Sequence, residues 1–236
     1  MRPLVVAHLY PAEMNIYGDT GNLIALRRRL EWRDIPVRID RIGVGPAYDF
    51  TAADIVVAGG GEDSAQHEVA ADLQERGEAV REAVDAGVVF LLVCGTYQLF
   101  GRRFITRDGA EIPGIGVFAA ETIGGGDRMI GNVIVESEWG RLVGFENHSG
   151  RTSLDPGQPA IGRVAKGNGN DGDSGMEGAV SGNCFGTYLH GSLLPKNPIF
   201  ADELITRALR RMGAPEPSPL DDEVERRAAD SAAQRP

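Results

Sequence analysis

Six residues, Val88-Val-Phe-Leu-Leu-Val93, form an unbroken apolar run that stops at Cys94-Gly95. A strand without polar alternation needs cover on both faces, which it finds inside a parallel sheet packed between helices. The run is strand-sized, far below the ~20 apolar residues that span a bilayer. The first half of the chain supplies the neighbours such a strand needs. Pro3 to Tyr10 reads as a buried strand, followed by the loop Met14-Asn-Ile-Tyr-Gly-Asp-Thr-Gly21 and a helix from about Asn22 to Arg33, ended by Pro36. Val37 to Ile42 and Asp54 to Ala58 are further strands, the latter running into Gly59-Gly60-Gly61. Between Glu62 and Ala86, Val69, Leu73, Val80 and Val84 recur at helical spacing. Strands alternating with helices predict an α/β fold with a mostly parallel, doubly wound sheet and flanking helices.

The second half has a different texture. Ile115 to Phe118, Met129 to Glu136, Leu142 to Phe145 and Ile161 to Val164 are short strand candidates between glycine-rich loops. Asn168 to Gly178, almost all Gly, Asn, Asp and Ser, reads as an exposed loop. Asn183 to His190 is another strand, and Pro198 to Met212 a helix ended by Gly213. The spacing predicts one domain over residues 1–213. Beyond it, 214–236 is rich in Pro, Asp, Glu, Arg and Ala and offers little to bury, so a mobile tail is expected.

With 24 basic against 34 acidic residues the chain carries a net charge of -10, which works against binding nucleic acid or anionic lipid. The first apolar run is short and interrupted by His8, unlike a signal peptide, and a cytoplasmic protein with no membrane span is expected. Two cysteines are present, Cys94 and Cys184. Cys184 and His190 share an apparent strand and stand ~20 Å apart at ~3.3 Å per residue. If Cys94 lies beside His190, it is then beyond the ~7 Å Cα separation of a disulfide. Free thiols suit that arrangement and a reducing compartment.

The stretch from Val88 to Leu99 carries the most chemistry. A buried strand runs into Cys94-Gly95 and then into a helix-compatible Thr-Tyr-Gln-Leu, which exposes the thiol at the carboxyl end of a strand, where open α/β sheets bind ligands. A helix starting there favours the thiolate through its N-terminal partial charge. The Gly95 N–H is placed to donate to an oxyanion. It is the cysteine counterpart of the strand-to-helix elbow known for serine; the alternative is an inert cysteine ending a core strand. A thiol nucleophile needs a base, and the histidines are His8, His67, His148 and His190. His8 lies within a core strand and His67 on a helix surface. His148 is open to either reading. His190 ends a strand, so it meets Cys94 at one sheet edge if that strand joins in parallel.

Four ordered segments carry a family resemblance: the Cys94-Gly-x-x-Gln98 elbow, the loop Gly59-Gly-Gly-Glu-Asp63, the segment Gly144-Phe-Glu-Asn-His-Ser-Gly150, and Gly186-Thr-Tyr-Leu-His-Gly191. Together they resemble class I glutamine amidotransferases of the cobyric acid synthase-like branch. The loop Asn15-Ile-Tyr-Gly-Asp-Thr-Gly-Asn22, the loop Gly124-Gly-Gly-Asp-Arg128 and the single-domain length are similar to the GatD glutaminase subunits of lipid II isoglutaminyl synthases. The similarity runs from about residue 3 to 212 and leaves the tail unmatched. It implies that Cys94 attacks the side-chain amide of L-glutamine and that His190 shuttles the proton to ammonia. It further implies that Gly95 and Gly60 stabilise the oxyanion, that Arg128 holds the glutamine α-carboxylate, and that Gln98 lines the pocket or faces the interior. Many class I members place a glutamate two residues after the histidine; here that position is Ser192, and the sequence names no group that orients His190.

There is no Cys-x-x-Cys, no His-Glu-x-x-His and no phosphate-loop Gly-Lys-Ser/Thr ending, so no metal site and no cofactor is expected in this chain. The resemblance places ATP, and any metal, in a Mur ligase-like partner, MurT, within a heterodimer that amidates the D-glutamate of a peptidoglycan precursor. Two other readings keep the fold: a glutaminase serving a corrinoid acceptor, and a catalytically silent scaffold. Tyr17 and Asp19, in the loop after the first strand, are expected at the ammonia exit facing the partner, with an ordinary βα turn as the alternative.

Overall fold

The computed structural model describes residues 1–15, 18–61, 63–190 and 192–234, with the backbone alone at 63–65. In chain order the elements are β1 (Leu4–Leu9), α1 (Thr20–Glu31), β2 (Val37–Ile42), β3 (Ile55–Ala58), α2 (Asp63–Asp85), β4 (Val89–Val93), α3 (Gly95–Leu99), β5 (Arg103–Ile105) and β6 (Glu111–Pro113). There follow β7 (Ala120–Ser137), β8 (Gly140–Leu154), β9 (Gly162–Lys166), β10 (Met176–Glu177), β11 (Ala179–Ser181), β12 (Cys184–Thr187), α4 (Leu193–Lys196), α5 (Pro198–Arg211) and α6 (Glu223–Ala233).

The expected parallel sheet is present, in the order β11-β12-β4-β3-β1-β2. Every pair in it is parallel except the antiparallel edge pair β11/β12. β4 lies between β3 and β12 and is buried along its whole length, which is why its sequence shows no alternation. The strand expected from Asn183 to His190 ends at Thr187, and residues 188–190 continue as a connection that touches β8 through a bridge between Phe145 and His190.

The second half is a sheet of its own, β10-β9-β7-β5-β6, with β8 paired to β7. Two of the expected strands, Met129 to Glu136 and Leu142 to Phe145, are parts of one long hairpin, whose register shifts between Gly124 and Met129. Ile115 to Phe118 is not a strand. Its amides bond to the carbonyls beyond β4, Ile115 to Leu99 (2.9 Å) and Phe118 to Phe100 (3.0 Å), so these side chains enter the core without joining a ladder.

The tail also differs from expectation. Residues 223–233 form α6, none of whose side chains is buried, so apolar content did not reveal it. Charge holds this region. Arg29, 3% exposed on α1, pairs with Asp202 of α5 (2.6 Å) and with Asp222 at the start of α6 (2.7 Å), while Arg141 of β8 pairs with Asp230. Among the described residues no helix is long and apolar enough to cross a membrane.

Candidate active site

Four adjacent parallel strands end at one edge of the sheet, and each is followed by one residue of the site. In sheet order β12, β4, β3 and β1 lead to His190, Cys94, Gly60 and Asp19. Cys94 is fixed first. Its N–H bonds to Thr187 O (2.8 Å), and Gln98 N bonds back to Cys94 O (3.0 Å) to close the first turn of α3. The turn holds Cys94 at φ 53, ψ -106, a backbone state that costs a non-glycine residue about 1–3 kcal/mol and clusters at functional sites. The sequence signal for an elbow is therefore met by a strained elbow.

His190 is held by two backbone bonds to β8, His190 N to Phe145 O (2.7 Å) and Phe145 N to His190 O (3.3 Å). Its ring is 1% exposed. Gly60 measures how closely the two reactive groups approach. A Cβ built there would stand 3.1 Å from Cys94 Cβ, 3.1 Å from His190 Cε1 and 3.5 Å from Cys94 Sγ. Thiol and imidazole thus share one small space, over a residue whose side chain would crowd both. Burial pushes the His190 imidazolium down, but the pull of Cys94 and of Asp19 outweighs it and raises the ring to about 10.

The remaining expected residues separate. Gln98 is buried, receives Gln66 Nε2 on its oxygen (3.2 Å) and donates to Tyr188 Oη (3.1 Å). It belongs to a polar layer behind the elbow that continues to Thr152 and Thr122, and it is an interior residue rather than a pocket wall. The N–H of Gly60, expected to face an oxyanion, instead donates to Asp19 Oδ2 (2.9 Å). Gly95 opens α3 in a spot with no room for a side chain, where a Cβ would come 2.6 Å from Gln66 Nε2. Arg128 lies on the exposed side of β7 and grips Asn147 of β8 through Nε to Oδ1 (2.9 Å) and Nη2 to the backbone O (3.0 Å). Asn147 is two residues from Phe145, the residue bridged to His190, so Arg128 stands one step of strand β8 from the site.

His148 does not compete for the role of base. It is buried, stacks on Tyr188 with ring centroids 3.6 Å apart, and bonds through Nδ1 to Gly150 O (2.8 Å). Cys184 is free, fully buried and has its thiol pushed up by burial. Asp19, expected at the partner side, is 1% exposed, with Oδ1 3.7 Å from His190 Nδ1. Its burial follows from packing of the β1–α1 loop under Gly59, where an added Cβ would strike Asp19 Oδ2 at 2.6 Å. Tyr17 lies outside the described residues. The structure puts Asp19 at the expected edge with its carboxylate turned to Gly60 and His190. Asn147 and Tyr188, whose contacts depend on pairing across the second sheet, gave no signal in the sequence. Among the described residues no group of three or more His, Cys, Asp or Glu comes together as a metal site would require.

Residues 5–198 match the CobB/CobQ-like glutamine amidotransferase domain. The chain is 39% identical over 227 residues to the lipid II isoglutaminyl synthase (glutamine-hydrolyzing) subunit GatD of Staphylococcus aureus, covering 95% of this chain and 93% of that protein. It is 36% identical over 211 residues to the subunit of the same name from Streptococcus pneumoniae, covering 88% and 81%. Among solved structures, a glutamine amidotransferase superposes with a TM-score of 0.59 at 13% identity over 86% of this chain and 98% of that one, a likeness of fold.

Proposed function

This chain belongs to the CobB/CobQ-like glutamine amidotransferase family, and we propose that it is the glutaminase subunit of a lipid II isoglutaminyl synthase, with Cys94 as nucleophile and His190 as base. The observation that carries the reading is the convergence of Cys94 Sγ and the His190 ring over Gly60 at the carboxyl edge of the sheet.

His190 takes the thiol proton and Cys94 Sγ attacks the side-chain carbonyl carbon of glutamine. The oxyanion of the tetrahedral adduct is met by the Gly95 N–H, a donor fixed before reaction by the strained elbow; a donor of this kind is worth about 10²–10³ in rate. The Gly60 N–H, already bonded to Asp19, is not assigned this role. As the C–N bond breaks, His190 returns the proton to the leaving nitrogen and ammonia departs. Water, deprotonated by the same imidazole, attacks the thioester; glutamate leaves and the thiol is restored. Arg128 binds the α-carboxylate, a task for which its planar fork is suited, with Asn147 holding the guanidinium.

End-to-end similarity to the S. aureus subunit supports amidation of lipid II, rather than of a corrinoid, as the use of the ammonia. The ATP-dependent step is then performed by a Mur ligase-like partner of the MurT kind, which holds ATP and any metal, while this chain needs no cofactor for hydrolysis. The test measures glutamate release by the chain with its partner, and amidation of lipid II on addition of ATP. Release of glutamate coupled to amidation is the expected result. No glutamine hydrolysis in either setting would overturn the glutaminase assignment, and hydrolysis coupled to a corrinoid acceptor would overturn the lipid II assignment.

A further inference from the structure

Asp19 stands at the N-terminal boundary of α1, where an aspartate ordinarily caps the helix through its side chain, yet it makes no such bond. Its carboxylate turns inward and is buried, which costs several kcal/mol unless partners compensate. The partners are those of the site. Oδ2 accepts the Gly60 N–H (2.9 Å) and Oδ1 faces His190 Nδ1 at 3.7 Å. Apo catalytic contacts are commonly long and tighten with substrate.

The loop carrying Asp19 is tied to the segment that follows His190. Ser192 Oγ donates to Gly18 O (2.9 Å), and Leu194 N donates to Asn22 Oδ1 (2.9 Å). Gly21 packs so closely on Ser192 that a Cβ there would come 2.0 Å from Ser192 Oγ. The loop on either side of Asp19, at Gly18 and at Asn22, is therefore clamped to the segment just after His190. Among the described residues, those that raise His190 include Cys94, from the β4–α3 turn, and Asp19, from the β1–α1 loop. His8 of β1 also feels Asp19, but burial and Arg41 hold it low. Glu146, on β8, is turned to Asn168 and Gly169.

We propose that Asp19 is the positioning residue of His190: its carboxylate receives Nδ1–H, fixes the ring and leaves Nε2 to exchange the proton with Cys94. The proposal rests on the assignment of Cys94 and His190 made above. It turns Asp19 from a residue facing the partner into one that sets the tautomer of the base.

Asp19→Asn separates this role from a structural one. The Gly60 N–H must still meet an oxygen, so the asparagine NH₂ is forced toward His190. An NH₂ there donates to Nδ1, moves the ring proton to Nε2 and leaves no lone pair for the thiol proton. A wrong-tautomer substitution of this kind costs about 10²–10⁴ in turnover. In the complex with its partner, Asp19→Asn should lose kcat by that factor while the glutamine KM stays within about threefold. Independently of turnover, ¹⁵N NMR of labelled histidine should show that the wild-type His190 ring keeps its proton on Nδ1 as it deprotonates at high pH. In Asp19→Asn the neutral ring should carry it on Nε2. A wild-type chain without glutaminase activity would sink the proposed function, yet the NMR arm would still decide on Asp19. A wild-type ring protonated on Nε2, or an Asp19→Asn enzyme within about threefold of wild-type kcat, would overturn the proposal. So would hydrolysis that persists while amidation alone is lost, which would put Asp19 on the acceptor side.

Discussion

The parallel sheet and the β7–β8 hairpin meet at His190 but are built on opposite terms. In the sheet, β4 is covered on both faces and both edges, and the groups that follow it and its neighbour β12, Cys94 and His190, are 7% and 1% exposed and held by backbone bonds. The hairpin runs through 18-residue and 15-residue strands with Ile123, Ile130 and Arg128 on its open side. A buried edge fixes reacting atoms to within tenths of an ångström because the packed interior leaves no slack. An exposed hairpin with a register shift beside its arginine is suited to recognition, where a long side chain finds a charged group as it arrives. Under the proposed function, reaction and recognition would fall to different sheets.

The sharpest way to break that division is a pair of substitutions, one on each side. His190→Ala should lower kcat by about 10²–10⁴, the worth of a positioned base, with little change in KM. Arg128→Ala should do the reverse, raising the glutamine KM about 10- to 100-fold with kcat nearly kept, since a charge-assisted pair to the α-carboxylate is present in ground and transition states alike. Steady-state kinetics of the two variants decide it. An Arg128→Ala enzyme with normal KM and depressed kcat would put the hairpin into the chemistry and dissolve the distinction.

A smaller effect tests how dry the sheet side is. Glu177, fully buried beneath β12, accepts Thr187 Oγ1 (2.6 Å) and Tyr188 N (2.8 Å), and burial raises it from 4.5 to about 7 against those bonds. Between these values the folded protein keeps a proton that the unfolded chain has released. The stabilising contribution of protonated Glu177 is therefore complete below about 4.5 and lost as pH rises through about 7. The loss is on the order of 3 kcal/mol at most, taking about 1.4 kcal/mol per pH unit. Glu177→Gln removes the titration, so its Tm should gain on wild type as pH goes from 5 to 8. A difference independent of pH would show that water reaches the carboxylate.

The same contrast explains which parts of the molecule the sequence disclosed. β4 was legible because burial on two faces leaves a run with no polar residue, and Cys94 because a buried strand meeting Cys-Gly and a helix has few uses. β5 and β6 are three residues each and escaped notice. β7 and β8 were seen as fragments because glycines and charges interrupt strands that solvent covers on one side. Ile115 and Phe118 misled in the opposite direction, being apolar for the core without being paired. Asp19 was located by topology, since every βα loop of a parallel sheet leaves the same edge, but its direction depends on the close approach of Gly59 and Gly60, which no pattern of residues records. α6 was missed because its anchors are ion pairs to Arg29 and Arg141, distant in sequence.

If this edge of the sheet activates one thiol of two, a covalent glutamine analogue bearing a diazo-ketone should react with that thiol alone. Cys94 and Cys184 serve as experiment and control in one chain, the first beside His190 and the second sealed in the core at the start of β12 with its thiol pushed up by burial. Intact-mass and peptide mapping should find a single adduct, on Cys94, suppressed by excess L-glutamine, with Cys184 unmodified. An adduct on Cys184, or an unlabelled Cys94 in a chain that still hydrolyses glutamine, would rule out Cys94 as the nucleophile.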